Sequence, residues 1–410
     1  MPLVQTAPLK HGSAMTTDPD LLRIINDTLS AAGTAFSQGH LPRTADSPDI
    51  WEISRLLREA MDTHPEFAGP ASRFFLGKQL AFFNQHQAVN LLRVALTRGP
   101  DGALAWYRTI RAVRRTPMRV VGEVYGLLVQ EPYRFSNGVT LMPVSALPDS
   151  PNSAMLKQRA FFGMHMDFPA AVMFEVSDVE GEDGHDGGHA RFQEITATLR
   201  WTIDAFVLAD DVAPTVSVVW QEFADPEFHP AEFGRIWMGS QHEGRLPNHP
   251  IQVTPEMTEW VERYLTLHEN VANACRVPIQ RLNLARRRFA PGDKAIDGSV
   301  CLEALLSGNA RGELTHRLSV RTALLLGRTL EDRIAIAERV RKFYSLRSDV
   351  VHGSAPKKEA ANRQVTEDGL ALCVSVLRAV VMSGEVPKPE EWELSGGPPW
   401  NLFSPAATQD

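Results

Sequence analysis

The segment TLEDRIAIAERVRKFYSLRSDVVHG, residues 329–353, has the pattern of one long amphipathic helix. Thr329 is a residue type that commonly caps helix N-termini, and Asp332 occupies the acidic position of a capping box. Gly353 suits the left-handed turn that ends many helices. The segment therefore predicts a helix that begins after Thr329 and ends at His352.

An arginine interrupts the apolar face of this predicted helix. Ile336, Val340 and Phe343 repeat at intervals of four and three residues, and Arg347 takes the next such position before Val350. A charged side chain that faces an apolar interior without a partner is costly. Arg347 therefore indicates either an ion pair with a carboxylate or a site that binds an anion.

The end of the helix adds a second polar group. Arg347 and His352 are five residues apart, which in a regular helix separates them by about 7.5 Å along the axis and about 140° around it. Both can contact one phosphate only if the helix end distorts or a second chain contributes. Ser348 shares a face with His352, and Asp349 either orients the imidazole or is solvated. The alternative role for His352 is that of a simple C-terminal cap, favoured as imidazolium by the helix dipole.

The composition is that of an ordinary soluble protein. The chain has 410 residues and 43% apolar side chains, enough for roughly two or three domains. We find no signal-peptide core and no stretch that approaches the ~20 apolar residues of a membrane span. Three widely spaced cysteines, Cys275, Cys301 and Cys373, favour reduced thiols over a disulfide framework. We therefore expect a cytoplasmic protein without a membrane partner.

Charge is unevenly distributed along the chain. The net charge is −7, yet residues 254–382 contain 20 Lys and Arg against 15 Asp and Glu. An anionic ligand such as a nucleic acid would favour this segment. The alternative is a mildly basic, solvated surface.

The pattern of the chain predicts an α+β fold. We expect a disordered lead over 1–17, a mixed helical and β region over 18–253, an all-α bundle over 254–385 and a loosely packed Pro/Gly-rich tail over 386–410. Short β-branched runs between 118 and 250 are typical of strands, and 192–209 favours a helix among them. The helices expected in the bundle are 255–289, 294–307, 312–326, 330–352 and 364–382.

Three stretches together resemble a known family. LRSDVVHG (346–353) is similar to the R-x-x-x-x-H signature of HEPN domains, specifically the ApeA-like group, and FYSL (343–346) immediately precedes the arginine of this signature. DKAIDGSVCLEALL (293–306) and GELTHRLSVRTALLL (312–326) resemble the two helices that precede this signature. The resemblance covers about 255–382 and implies a helical bundle that usually dimerises.

The resemblance also implies an activity, since many HEPN domains are metal-independent endoribonucleases. It makes Arg347 and His352 catalytic and places Ser348 in the polar position after the arginine. This assignment agrees with the residue types, because an imidazole titrates in the range suited to acid–base catalysis and a guanidinium offers paired donors to a phosphate. RNA supplies its own nucleophile, the 2′-hydroxyl, so no metal or cofactor is expected.

The expected partners follow from the same resemblance. They are an RNA substrate, with tRNA and mRNA as candidates, and a second copy of the chain. We expect a toxin or anti-phage effector whose N-terminal region responds to a trigger, a phage-derived one among the candidates. Ser354 stands where HEPN toxins controlled by a nucleotidyltransferase often carry Tyr, which weighs against that control. The alternative function is a non-catalytic HEPN dimerisation or nucleotide-binding module.

Other polar groups offer weaker signals. Arg286, Arg287 and Arg288 are candidates for RNA contacts, with a solvated helix face as the alternative. Glu313 either pairs with Arg317 on one helix face or orients Arg347 across the bundle. The remaining cluster, which favours a loop over a metal site, is Asp183, His185, Asp186 and His189.

Overall fold

The computed structural model combines many helices with small sheets, which agrees with the predicted α+β class. It describes residues 19–36, 48–67, 73–76, 79–83, 85–112, 115–150, 152–154, 156–157, 170–180, 187–209, 211–231, 236–237, 246–247, 250–308, 313–352 and 359–399. The predicted lead over 1–17 lies outside these ranges. In the described part of the chain, no helix has the length and apolarity needed to cross a bilayer.

The helices are α1 (Pro19–Phe36), α2 (Pro48–Asp62), α3 (Gln85–Ala112), α4 (Gly187–Asp204), α5 (Pro255–Leu265), α6 (Glu269–Arg287), α7 (Pro291–Leu306), α8 (Leu314–Leu326), α9 (Leu330–Val351), α10 (Glu359–Ser383) and α11 (Pro389–Ser395). The strands are β1 (Arg73–Leu76), β2 (Gln79–Phe82), β3 (Arg115–Tyr125), β4 (Leu127–Leu128), β5 (Tyr133–Arg134), β6 (Thr140–Pro143), β7 (Ala170–Glu180), β8 (Thr215–Phe223), β9 (Ile236–Trp237) and β10 (Ile251–Gln252).

The chain divides into two compact units. The first comprises residues 1–118, 176–190 and 222–235, and the second comprises 119–175, 191–221 and 236–410. The first unit is built on α1, α2 and α3, whose apolar faces bury a common core. Three aromatic rings, those of Phe67, Phe83 and Tyr107, pack against one another with centroids 4.9–5.3 Å apart.

The second unit contains most of a six-stranded sheet together with the C-terminal helices. The strand order is β5-β6-β7-β3-β8-β9, and the β5–β6, β6–β7 and β8–β9 pairs are antiparallel. The compact unit that holds residues 254–385 therefore also includes strand residues from 119–175 and 191–221. An independently folding bundle over 254–385 stays a prediction.

The C-terminal helices begin and end near the predicted positions, with one exception. The expected helix 255–289 is interrupted after Leu265, where Thr266 ends α5 and His268 precedes α6. At this end the Thr266 backbone N–H donates to the carbonyl of Glu262, and its hydroxyl donates to the carbonyls of Glu262 and Arg263. The predicted N-cap is confirmed, since Thr254 accepts a hydrogen bond from the backbone N–H of Met257.

Three glycines allow α9 to approach its neighbours closely. A Cβ on Gly298 of α7 would lie 2.7 Å from the Phe343 ring, and a Cβ on Gly369 of α10 would overlap that ring. Phe343 is fully buried between these helices. Gly292, at the start of α7, approaches Val350 in the same way. The C-terminal turns of α9 therefore lie against the N-terminal end of α7.

The C-terminal tail is more ordered than the sequence predicts. Residues 389–395 form α11, which packs on α8, and Trp392 of this helix is fully buried. The buried guanidinium of Arg321 donates to Glu393 Oε1 at 2.7 Å. It also donates to the carbonyls of Leu306 and Ser307. Loose packing was therefore wrong for this part of the tail, because one large apolar side chain and one ion pair fix the helix.

All three cysteines are free and buried, as expected of reduced thiols. Burial raises the pKa of Cys275 to about 12. The neighbouring Cys373 thiol, together with burial, raises the pKa of Cys301. Thiols of this kind are poor nucleophiles and poor metal ligands.

Candidate functional site

The two ends of α9 lie where the sequence places them. The Thr329 hydroxyl accepts a hydrogen bond from the backbone N–H of Asp332, whose carboxylate accepts one from the backbone N–H of Thr329. This reciprocal pair is the predicted capping box. The helix continues to Val351, and His352 is its C-terminal cap. Gly353 lies outside the described residues.

Arg347 is half-buried on the face of α9 that continues the apolar stripe. Its guanidinium carbon lies 5.3 Å from the centroid of the Tyr344 ring, one turn earlier on the same helix. No carboxylate among the described residues lies within ion-pair distance of Arg347. The ion-pair alternative therefore has no support in the part of the chain that the structure describes.

Tyr344 connects this arginine to the neighbouring helix. Its ring is buried, and its hydroxyl donates a hydrogen bond to Glu303 Oε1 of α7. Burial and the hydrogen bond to Glu303 raise the pKa of Tyr344, with the Arg347 charge opposing the shift. Tyr344 therefore remains a neutral donor at physiological pH. Glu303, Tyr344 and Arg347 form a connected series of side chains on two helices.

His352 is exposed at the end of α9. Its backbone N–H donates to the carbonyl of Ser348 at 3.0 Å, which closes the last helical turn. The side chain of Ser348 is half-buried and that of Asp349 is exposed. Among the described residues, neither side chain hydrogen-bonds to the imidazole of His352. In a regular helix, positions 347 and 352 lie about 140° apart around the axis, so the helix by itself does not direct both side chains to one point.

Glu313 is exposed and immediately precedes α8. Its backbone has a φ of 44°, in the left-handed region that non-glycine residues seldom adopt. Within the described residues it makes no ion pair with Arg347 or Arg317. The structure thus places the Tyr344 ring, rather than Glu313, beside the arginine, and Glu303 accepts the hydrogen bond of the Tyr344 hydroxyl.

The three consecutive arginines at the end of α6 contact the protein itself. Arg286 donates to the carbonyls of Val207 and Val212 and pairs with Asp211 at 3.1 Å. The side chain of Arg286 is only 8% exposed. These contacts fasten α6 to the segment that follows α4.

The other two arginines are also engaged. Arg287 Nε donates to Asn283 Oδ1 at 2.8 Å. Arg288 Nε donates to Asp297, a buried carboxylate that Arg281 also contacts. A role of Arg286, Arg287 and Arg288 in RNA binding stays a prediction, and their described contacts are internal.

A metal cluster is not visible in the described part of the chain, where no three His, Cys, Asp or Glu side chains lie close enough to share an ion. The stretch with Asp183, His185 and Asp186 lies outside the described residues. His189 belongs to α4, but its side chain is likewise not described.

Tyr344 and Glu303 were missed by the sequence analysis as site residues. Tyr344 was considered only as part of the FYSL stretch of the family signature, and Glu303 only as part of a predicted helix. The two residues are 41 positions apart in the chain, so no helical spacing connects them. The available signal was the tyrosine one turn before the arginine, on the same helix face.

Comparison of the chain with protein-family models, with curated proteins and with solved structures gives no match. The chemistry of the residues at the end of α9 and the resemblance of the sequence motifs are therefore the observations that bear on function.

Proposed function

We propose that the chain is a metal-independent endoribonuclease of the HEPN type, with Arg347 and His352 as its catalytic residues. One observation carries the proposal. The guanidinium of Arg347 is half-buried on an aromatic ring without a carboxylate partner in the described residues, and an exposed imidazole ends the same helix. A cation kept in this state retains its charge and its donors for an anionic ligand.

The proposed reaction needs only groups of this kind. The 2′-hydroxyl of a ribose loses a proton to a base and attacks the adjacent phosphorus. The bond from phosphorus to the 5′-oxygen breaks, and an acid protonates the leaving oxygen. The products are a 2′,3′-cyclic phosphate and a free 5′-hydroxyl. His352 can serve as base or, when protonated, as acid.

Arg347 has a separate role in this scheme. The planar guanidinium offers paired N–H donors to the non-bridging phosphate oxygens, whose charge increases as the 2′-oxygen bonds. Ser348 is the polar neighbour of this cation on α9. DNA lacks the 2′-hydroxyl and is not a substrate for this chemistry.

The test uses the purified full chain with a mixed pool of cellular RNA. We expect cleavage that persists in excess EDTA and leaves 2′,3′-cyclic phosphate ends, because the nucleophile is activated by protein groups. His352→Ala should abolish cleavage, whereas His268→Ala, at another exposed histidine, should retain it. Cleavage lost in EDTA and restored by magnesium would overturn the metal-independent mechanism.

The biological role that we propose is a toxin or anti-phage effector that acts as a homodimer on RNA in the cytoplasm. The N-terminal region would then be a sensor, specificity or regulatory element. Growth arrest and loss of RNA on expression of the wild type, absent in His352→Ala, would support this role. Expression without arrest or RNA loss would favour a non-catalytic HEPN module instead.

A further inference from the structure

We propose that Tyr344, held by Glu303, is the positioning residue for Arg347, and that it holds the guanidinium through the face of its ring. This inference rests on the proposed function, in which Arg347 contacts the phosphate of RNA. Tyr344 and Glu303 are not proposed to touch the substrate.

Within α9, the guanidinium of Arg347 lies over the Tyr344 ring. Tyr344 and Arg347 are one turn apart, and the guanidinium carbon is 5.3 Å from the ring centroid. A cation at this distance over an aromatic face is attracted by the ring quadrupole. The buried ring therefore offers a fixed surface on which the long arginine side chain can lie.

A hydrogen bond to the neighbouring helix fixes the ring. The Tyr344 hydroxyl donates to Glu303 Oε1, and Glu303 is half-buried on α7. The hydrogen bond limits rotation of the phenol and connects α9 to α7. Since the acceptor is a carboxylate, the bond is charge-assisted and stronger than a neutral one.

This arrangement avoids a direct ion pair between a carboxylate and Arg347. A carboxylate paired directly with Arg347 would occupy two of its five N–H donors and offset its charge. Here the carboxylate hydrogen-bonds to the phenol instead, and no ion pair joins Glu303 to Arg347 in the described residues. The ring positions the guanidinium while its N–H donors remain available to a phosphate.

The chain offers a matched set of variants. Tyr344→Phe keeps the ring and removes the hydroxyl, whereas Tyr344→Gln keeps a donor for Glu303 and removes the ring. Glu303→Gln keeps an acceptor for the phenol and removes the charge. If the ring positions Arg347, Tyr344→Gln should change the position of the guanidinium and the affinity for RNA most, and Tyr344→Phe should change them less.

The first measurement needs no RNA. The full chain is labelled with ¹⁵N-arginine, and the Nε–H signal of Arg347 in its NMR spectrum is assigned by its loss in Arg347→Ala. This signal should lie upfield because of the ring current of Tyr344. Tyr344→Gln should move this signal downfield, and Tyr344→Phe should leave it close to its wild-type position. An unchanged signal in a folded Tyr344→Gln protein would overturn the inference, whatever the protein does to RNA.

The second measurement tests whether Tyr344 acts through Arg347. The probe is a single-stranded RNA with a 2′-O-methyl group on every ribose, which cannot be cut, and its affinity is read by fluorescence anisotropy. We expect Tyr344→Gln to weaken binding about threefold to tenfold, and to have no further effect when Arg347 is already alanine. If Tyr344→Gln lowers RNA affinity equally in the wild-type and Arg347→Ala proteins, Tyr344 has a general structural role and the inference is overturned.

The two measurements separate the inference from the proposed function. If the wild type does not bind the RNA probe, the ribonuclease proposal fails, and the arginine signal alone decides whether the ring positions Arg347. If RNA binds but the Tyr344→Gln and Arg347→Ala effects are independent, the ribonuclease proposal stands and the positioning role fails.

Discussion

Arg347 is the residue on which the proposed chemistry depends most directly. We predict that Arg347→Ala lowers ribonuclease activity by at least about 100-fold, because the phosphate loses its charged donors. Stability should fall only by about 1 kcal/mol, the scale of one cation–π contact. Arg347→Lys should recover little activity, since a lysine lacks the paired planar donors.

The matched control is Arg341→Ala, which removes an exposed arginine six residues earlier on α9. It should retain near wild-type cleavage of the same RNA. Circular dichroism and size-exclusion chromatography must show that the Arg347 variants are folded. A folded Arg347→Ala protein with full activity would contradict the assignment of the catalytic arginine.

A second residue allows a prediction about pH. Asp204 is half-buried as a whole residue, but its carboxyl group is enclosed. Burial raises the pKa of this carboxyl group to about 7. The charges of Arg287 and Arg200 oppose this shift. An unfolded aspartate titrates near ~3.9. The folded state therefore holds the proton more tightly than the unfolded state does.

The sign of the effect follows from linkage. The stabilisation associated with protonated Asp204 is present at low pH and is lost as the pH rises from about 4 to about 7. Asp204→Asn keeps an oxygen that can accept the Asn283 hydrogen bond and removes the titration. We predict that wild type loses stability relative to Asp204→Asn between pH 5 and pH 8.

The measurement is urea unfolding of both proteins across this pH range. Asp293→Asn, at an exposed position of the same unit, is the control and should follow the wild-type curve. A constant difference between wild type and Asp204→Asn at all pH values would contradict the raised pKa.

At the scale of elements, α9 was the most predictable part of the fold. Its N-cap, its capping box and its end at His352 all depend on local chemistry, so the residues that determine them are adjacent in the sequence. The interruption after Leu265 was missed because apolar positions continue on both sides of it. Arg321 of α8 and Glu393 of α11, which form an ion pair, are 72 positions apart in the chain, so the order of α11 was likewise not predictable.

The close approach of α10 to α9 leads to a prediction about Gly369. In an isolated helix, Gly→Ala would stabilise by about 1 kcal/mol. Here the added Cβ would overlap the buried Phe343 ring, and overpacking of this kind costs about 1–3 kcal/mol. We therefore predict that Gly369→Ala destabilises the protein.

Urea unfolding of Gly369→Ala measures this directly, through the midpoint at an unchanged slope. Glu367→Ala, at an exposed position of α10, serves as the control and should change stability little. A Gly369→Ala protein more stable than wild type would show that the two helices can separate at no cost.

At the scale of the whole molecule, the division into units could not be deduced from the sequence. The pattern changes from strands to helices near residue 254, yet the second unit combines both parts. The reason lies in contacts such as those of Arg378, whose guanidinium donates to the carbonyls of Leu208 and Ala209. Bonds that join positions about 170 residues apart leave no periodic signal.

The catalytic assembly is proposed to extend beyond one chain. In a regular helix, Arg347 and His352 point about 140° apart, so a single α9 does not direct both to one phosphate. A twofold axis near the end of α9 would bring two copies of each residue together. The arginine of one copy would then face the histidine of its partner, with RNA between the two cations.

Subunit mixing tests this arrangement. Arg347→Ala and His352→Ala are each predicted to be inactive, and a heterodimer of the two retains one arginine and one histidine on opposite chains. We predict partial recovery of cleavage after subunit exchange, well below the wild-type rate, because one of two sites is restored. Heterodimer formation is verified by native mass spectrometry, and a mixture of two His352→Ala preparations serves as the control. A site shared between chains would be contradicted by confirmed heterodimers that lack activity, or by a fully active monomer. In either case the partner of Arg347 in catalysis would have to lie on the same chain.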